Sequence, residues 1–221
     1  MELHHHTHAG HHKKNWKDYF WEFLMLFLAV FCGFLAEYQL EHVIEHQREK
    51  EFIKSMVEDL QDDQVKINHY RGNIQLSLKR IDTLITIVDS PAIIKQNGDL
   101  LYYLARMGPR VIPLTNNTRT LEQLKNSGSF RLIRNTEASN KIIAYYNDFP
   151  FMHLLEDLYA KEFEEYKRIA SKLFDPAVFR MMEMENGDIS RKANNPSLRT
   201  SDPDLIKQLG VYAVYMNGSR R

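Results

Sequence analysis

The chain has 221 residues, and its 29 Lys and Arg residues balance 29 Asp and Glu residues, so the formal net charge is zero. A balanced charge provides no global field for recruiting nucleic acid, and no nucleic-acid partner is expected. Cys32 is the single cysteine, which excludes an intrachain disulfide and a zinc site built on several thiolates.

Helix-forming residues dominate the composition. Only nine Gly and seven Pro occur, whereas Leu, Ile, Glu, Lys and Gln are frequent. We therefore predict an all-α protein in which one transmembrane helix continues into a long, coiled-coil-like helix that leads to a helical bundle. The predicted parts are a tail (1–15), a transmembrane helix (16–40), a stalk helix (41–89) and a helical bundle domain (90–221).

The tail is rich in histidine and is predicted to be disordered, since its composition is of low complexity. Neutral imidazoles bind zinc, copper or nickel. A tract without fixed geometry binds them only weakly, so a plain polar tail is the favoured interpretation and no cofactor is expected.

The segment 16–40 has the features of a membrane span. Residues 23–36 carry no charge and are rich in Phe and Leu, and about 20 residues of helix cross the roughly 30 Å of a bilayer core. Trp16 and Trp21 lie at one end and Tyr38 at the other, where amphipathic rings favour the headgroup level. The lipid bilayer is thus a predicted partner.

Two other interpretations of this segment are a buried helix of a soluble protein and a cleaved signal peptide. The signal peptide is disfavoured because no small-x-small cleavage site follows. Glu22 and Glu37 lie near the two ends of the segment. A carboxylate in lipid is costly, so each is expected to reach outward, to be protonated or to face another protein helix.

Small residues share one face of the predicted span: Ala29, Cys32, Gly33 and Ala36. Ala29 and Gly33 form a small-xxx-small pair, which allows helix backbones to approach closely. The pair predicts self-association in the membrane, although such residues are also common in ordinary apolar helices.

Basic residues are balanced on the two sides of the span, with Lys13, Lys14 and Lys17 before it and Arg48, Lys50 and Lys54 after it. The positive-inside rule therefore decides little. A short basic tail before an uncleaved apolar segment resembles a signal anchor, so we expect the C-terminal domain outside the cytoplasm.

The stalk carries an apolar heptad seam. Its members are Ile53, Val57, Leu60, Ile67, Ile74, Leu78, Ile81, Ile85 and Val88, with Gln64 and Arg71 at two of its positions. The same register reaches back to the small face of the span. Such a seam packs either against another copy of the chain or against the chain's own later helices, and both alternatives stay open.

Residues 42–46 match the H-x-x-E-H pattern of a family of zinc proteases, with His42, Glu45 and His46 as candidate ligands. The match lies in a Glu-rich helix with no evident third-ligand segment, so a chance match is the favoured interpretation. The acid cluster Glu58, Asp59, Asp62 and Asp63 is expected to lie on an exposed, solvated face.

Local signals divide residues 90–221 into short elements. The long helix is expected to end at Ser90-Pro91, residues 110–117 to be extended, and Asn135 to cap a helix that ends at a break over residues 147–150. The next helix, 151–174, is amphipathic. Its predicted core side includes Leu155 and Leu158 with Tyr159 and Tyr166. A helix after Asp175-Pro176, a polar and mobile loop (186–203) and a last helix (204–216) complete the domain.

A family resemblance is carried by three runs: residues 120–128 (TLEQLKNSG), residues 132–135 (LIRN) and Tyr145-Tyr146. They resemble a segment of an uncharacterised family of bacterial single-span membrane proteins, which share a short tail, one span, a long helix and a helical domain. The similarity covers most of residues 15–180. It implies a location in the bacterial inner membrane and implies no catalytic residue.

No G-x-G-x-x-G or phosphate-binding loop occurs, and no enzymatic activity is predicted. The predicted function is a membrane-anchored scaffold or interaction protein that self-associates, or joins other membrane proteins, through the span and stalk. Two alternatives remain. One is a membrane-anchored sensor that binds a small ligand in its helical domain, and the other is an oligomeric channel or transporter subunit with Glu22 and Glu37 near its pore.

Overall fold

The computed structural model describes residues 15–221, so the predicted His-rich tail lies outside the described residues except for Asn15. The all-α prediction is confirmed. The α-helices are α1 (Trp16–Val88), α2 (Pro91–Gln96), α3 (Gly98–Met107), α4 (Arg119–Asn126), α5 (Thr136–Leu173), α6 (Pro176–Met181) and α7 (Pro203–Gly218), with a 3-10 helix at Ser129–Leu132.

Helix α1 runs without a break for 73 residues. It has no proline that would remove an intrahelical hydrogen bond, and it ends where the sequence predicts, immediately before Ser90-Pro91. The chain forms two compact units, one up to Lys54 and one comprising Ser55–Arg221. The two units are described separately below.

The first unit contains the N-terminal part of α1, which has the length and composition of a membrane span. None of the side chains in its apolar window is buried. Phe23, Phe27 and Phe31 form a ladder of stacked rings, with centroids 6.2 and 5.9 Å apart, because residues four apart lie on the same side of a helix.

In the second unit, α5 runs parallel to the end of α1. Helix α7 runs antiparallel to both, because Asn217 near its end donates to Asp82 of α1, whereas Gly210 lies beside Val88. Near the start of this pair, the Tyr145 hydroxyl donates to Asp63. Further along, Ser77 of α1 and Tyr159 of α5 donate to the adjacent carbonyls of Gly108 and Pro109. The parallel arrangement requires the chain to return between α1 and α5.

Residues 108–118, here called the return segment, provide that connection. Residues 110–117, predicted to be an extended connection, have neither helix nor strand. Gly108 lies beside Ser77, whereas Asn117 lies beside Asp63, so the segment runs back along α1. Gly108 is required by close packing, since a Cβ atom there would lie 2.7 Å from the carbonyl oxygen of Leu104.

The core lies where α1, α3, α5 and α7 meet. Its fully buried members include Ile81, Leu84, Tyr102, Tyr166 and Phe174. The ring of Tyr102 packs edge-on against Phe174, with centroids 4.9 Å apart, a favoured geometry for aromatic pairs. Large rings thus fill the space where these four helices meet.

The segment 186–203 is irregular, as predicted, but it is held to the bundle by hydrogen bonds. Asn195 Oδ1 accepts from the Gly98 nitrogen at 2.6 Å, the Tyr102 hydroxyl donates to the Ser197 carbonyl, and the Arg199 nitrogen donates to the Leu173 carbonyl. Gly98 permits this approach, because a Cβ atom there would lie 2.0 Å from the Pro196 oxygen.

The predicted break at residues 147–150 is wrong, since α5 continues through Pro150. A proline inside a helix removes one intrahelical hydrogen bond, to the carbonyl four residues earlier. Tyr146 and Phe149 are buried on the bundle side of the same turn, whereas Pro150 is exposed. Burial of the two aromatic side chains therefore outweighs the local preference for a break.

Candidate functional site

The predicted association face of the span is exposed. Ala29, Cys32, Gly33 and Ala36 are all exposed, and a Cβ atom added at Gly33 would meet no heavy atom within 4 Å. Glu22 and Glu37 are also exposed. The side of α1 on which the sequence predicts helix–helix contact is therefore not covered by any described part of the chain.

The candidate metal ligands do not form a metal site. His46 Nδ1 lies 3.3 Å from Glu49 Oε2, one turn along the helix, and His42 is exposed. Residues 15–221 contain no group of three or more His, Cys, Asp or Glu side chains that could hold a metal ion. A third ligand would have to come from elsewhere.

The stalk seam is used differently along its length. Ile81 is fully buried in the core and Ile85 packs against it. Ile53, Leu60, Ile67, Ile74 and Leu78 are partly buried, whereas Val57 is 46% exposed. The distal end of the seam is thus occupied by the chain's own helices, which was one of the two alternatives for this pattern.

The expectation that the whole acid cluster is solvated is wrong. Asp59 is 0% exposed and Asp63 is 1% exposed, whereas Glu58 and Asp62 are exposed. Burial of an aspartate is costly unless its oxygens accept hydrogen bonds. The return segment and α4 supply those donors, and they are distant from α1 in sequence.

Asp59 caps α4 from outside that helix. Its Oδ2 accepts from the backbone nitrogen of Thr120 at 3.0 Å, and its Oδ1 accepts from Arg119 Nη2 at 2.8 Å. The first nitrogens of a helix lack intrahelical acceptors, and a carboxylate there also interacts favourably with the helix dipole. The side chain of Thr118, at the N-cap position, makes no cap hydrogen bond.

Asp63 binds the return segment and α5 together. Its Oδ1 accepts from the Asn117 nitrogen at 2.7 Å, and its Oδ2 accepts from the Tyr145 hydroxyl at 2.9 Å. The neighbouring Tyr146 hydroxyl donates to the Asn117 carbonyl at 2.9 Å. Thr120, Tyr145 and Tyr146 therefore meet around the two buried aspartates.

Side chains of α5 also form hydrogen bonds with the backbone of the earlier part of the return segment. Glu156 Oε1 accepts from the Leu114 nitrogen at 2.8 Å, and the Tyr159 hydroxyl donates to the Pro109 carbonyl at 2.9 Å. Burial raises the pKa of Tyr159 and of Tyr146 to about 12 in each case. Both hydroxyls therefore remain donors at neutral pH.

The buried polar residues could have been found from a second spacing pattern. Met56, Asp59, Asp63, Ser77, Ile81 and Leu84 are all buried in α1 and recur at steps of three, four or a multiple of seven. A search for apolar residues alone misses this face, because its centre is polar. Tyr70, on the same face, is partly buried, and burial raises its pKa.

An apolar stripe on α5 is uncovered. Leu155 and Leu158, predicted to lie on the core side, are 44% and 48% exposed, and Phe151 and Leu154 are more exposed still. The prediction is wrong for these two leucines, because Glu156 and Tyr159 face the return segment and leave the leucines on another side of the helix. Tyr159 and Tyr166 are buried, as predicted. We call Phe151, Leu154, Leu155 and Leu158 the α5 stripe.

A groove at the end of the bundle has a volume of about 970 Å³. The end of α1, α2, the start of α3, the loop after Asn195 and α7 surround it. Its lining is mainly apolar and includes Ile85, Val88, Leu101 and Ile206, with Asp89, Lys95 and Lys207 as the charged residues. We call this cavity the distal groove. Its size and lining are those of a small-molecule site.

Over residues 15–221 the fold defines a class: an all-α protein with one helix that could span a membrane, followed by a helical domain with two uncovered apolar surfaces. Comparison with family models, curated proteins and solved structures found no match to this chain. The functional assignment therefore depends on the surfaces described above.

Replacement of Asp59 by Ala is expected to lower the free energy of unfolding by about 2–4 kcal/mol, because it leaves the buried Thr120 nitrogen without an acceptor. Asp62→Ala is the matched control: it lies on the same helix and is exposed, and we expect a change below about 0.5 kcal/mol. Urea denaturation followed by circular dichroism measures both. Equal effects would contradict the role assigned to Asp59.

Alkaline pH is expected to destabilise the helical domain as Tyr146 and Tyr159 ionise. Their pKa values in the folded protein, about 12, lie above the ordinary value of 10.0. The folded state therefore has its full stability below pH 10 and loses it as the pH rises towards 12. Absorbance at 295 nm and circular dichroism, recorded together, would show late tyrosine ionisation coinciding with loss of helix. Tyr146→Phe and Tyr159→Phe should each reduce the late-ionising signal, whereas complete ionisation near pH 10 would contradict the assignment.

Proposed function

We propose that this chain is a membrane-anchored, non-enzymatic helical interaction protein that self-associates. The observation that supports this proposal most directly is the α5 stripe. Its four apolar side chains are spaced at three, four and seven residues, the spacing with which two helices pack side by side. A contiguous, exposed apolar surface of this kind marks an interaction site.

The proposed occupant of the stripe is a second copy of the chain. A zero net charge opposes association of two copies less than a large charge of one sign would. A symmetric contact places the same apolar patch on both partners. The exposed small face of the span, with Ala29 and Gly33, provides a second surface at which copies would meet within the bilayer.

The stalk seam contributes less to association than the sequence suggests, because its distal residues pack within the chain. A pore function has weaker support than association, because residues 23–36 carry no charged side chain that would line a channel. The sensor alternative depends on the distal groove, which is treated in the next subsection.

We further propose that the chain resides in the bacterial inner membrane, with its C-terminal domain outside the cytoplasm. The family resemblance supports the first point, and the signal-anchor character of the basic tail supports the second. The uncharged, unburied part of α1 is consistent with a single span.

Association is expected to depend on the α5 stripe. In detergent micelles, sedimentation equilibrium of the full chain should show dimers or larger species, and Leu154→Ser with Leu158→Ser should weaken association by about tenfold or more, since each loses apolar burial. Ile112→Ser, at a 64% exposed residue outside the stripe, is the matched control and should have no effect. Ala29→Leu with Gly33→Leu tests the span separately.

A monomeric wild-type chain at all concentrations would contradict self-association as a whole. If the wild type associates but the stripe variant behaves like Ile112→Ser, the contact lies elsewhere. Circular dichroism should show unchanged helicity in every variant, since the substituted side chains are exposed or lie at open positions.

The orientation proposal predicts which side of the membrane reacts with a thiol reagent. In a Cys32→Ala background, Lys172→Cys, at an exposed position on α5, should react with a membrane-impermeant maleimide in intact cells. Lys17→Cys, on the other side of the span, should react only after permeabilisation. The reverse pattern would show that the domain lies in the cytoplasm.

A further inference from the structure

The distal groove has walls formed by specific contacts between segments distant in sequence. Asn195 bridges the start of α3 and the end of α2: its Oδ1 accepts from the Gly98 nitrogen, and its Nδ2 donates to the Lys95 carbonyl at 3.1 Å. Its φ of 39° lies in the left-handed region, which asparagine tolerates better than most residues. The Tyr102 hydroxyl fixes the next turn of the loop through Ser197.

The interior of the groove suits an aliphatic chain. Ile85, Val88 and Leu101 belong to the hydrophobic core or pack against it, and they also line the groove. On the α7 side, Val211 and Val214 line it while remaining 46% and 53% exposed. An occupant that covers these side chains would gain roughly 25 cal/mol per Å² of apolar surface removed from water.

The charges of the groove favour an anionic head group. Lys95 and Lys207 line it, and neither has an ion-pair partner among the residues that the structure describes. Asp89 is the one carboxylate in the lining, so the two lysines leave a net positive charge. Both lysines are exposed, so their ammonium groups are free to meet a carboxylate or phosphate at the rim of the apolar cleft.

We propose that the distal groove binds an amphipathic anion, with its aliphatic tail on the apolar lining and its carboxylate or phosphate head held by Lys95 and Lys207. The inference is independent of self-association, because none of the α5 stripe residues lines the groove. It assigns a ligand class to the helical domain and thereby gives the sensor alternative a specific site.

The test uses the full chain in nanodiscs of zwitterionic lipid, so that no detergent competes for the groove. Diazirine-bearing dodecanoate and dodecyl phosphate are the probes, and a diazirine-bearing dodecyltrimethylammonium is the cationic control. After photolysis, mass spectrometry maps the labelled peptides. We expect both anions to label α7 and the end of α1, and the cation to label neither above background.

Two kinds of variant test separately the binding of the ligand's aliphatic chain and of its anionic head group. Val214→Trp, at an exposed lining residue, should narrow the groove and reduce its labelling severalfold without loss of helicity. Lys95→Gln with Lys207→Gln should weaken groove labelling by about tenfold, and Lys172→Gln is the matched control because it removes an exposed lysine outside the groove. A photoactivatable phosphatidic acid in the nanodisc distinguishes a bilayer lipid from a free amphiphile.

Labelling confined to the span would show partition into lipid only and would overturn the proposal. Equal labelling by the cationic probe, or labelling unaffected by Val214→Trp, would do the same. A groove that takes no amphiphile but retains a copurifying polypeptide would also overturn it and would indicate a protein occupant. None of these results depends on whether the chain is monomeric.

Discussion

The second unit depends on side-chain hydrogen bonds to one non-helical stretch of backbone, the return segment, inside a helical bundle. The return segment has no strand partner, so its buried amides and carbonyls would each cost free energy if left unpaired. Side chains from both flanking helices bind them: Asp63 and Ser77 from α1, and Tyr146, Glu156 and Tyr159 from α5. The segment thereby holds two parallel helices at a fixed spacing that direct helix–helix packing does not provide.

This arrangement also explains the uncovered surface of α5. A helix that presents Tyr146, Glu156 and Tyr159 to the return segment must turn another side outward, and the side that it exposes carries Phe151, Leu154 and Leu158. The helix is therefore amphipathic in two directions, with a polar and aromatic face inside and an apolar face outside. An apolar outer face on a helix without a partner would leave that face in contact with water, and this is the physical basis for proposing association.

The parts of the fold that are local in sequence could be predicted from it. The extent of α1 follows from the absence of proline and the Ser90-Pro91 signal, and the cap at Asn135 follows from its side chain, which accepts from the Ala138 nitrogen. Non-local properties could not be predicted. Asp59 is buried because Arg119 and Thr120 come back to it from 60 residues away, and a carboxylate alone does not reveal whether a distant donor will arrive. The distal groove likewise requires Asn195 to meet Gly98, which no local pattern indicates.

Helix α1 shows that the same residue types have opposite meanings in its two units. In the first, large apolar side chains such as Phe27 and Phe34 are exposed, the arrangement suited to a lipid environment in which only the backbone needs internal hydrogen bonds. In the second, the apolar Ile81 is buried and the carboxylate of Asp59 is buried as well, the arrangement of a domain folded in water. Residues 41–54, at the end of the first unit, are mostly charged or polar and largely exposed, with Val43 and Ile44 as exposed apolar residues. The backbone hydrogen bonds of a helix are satisfied internally in lipid and in water alike, so a helix that passes from one solvent to the other needs a change only in its side chains.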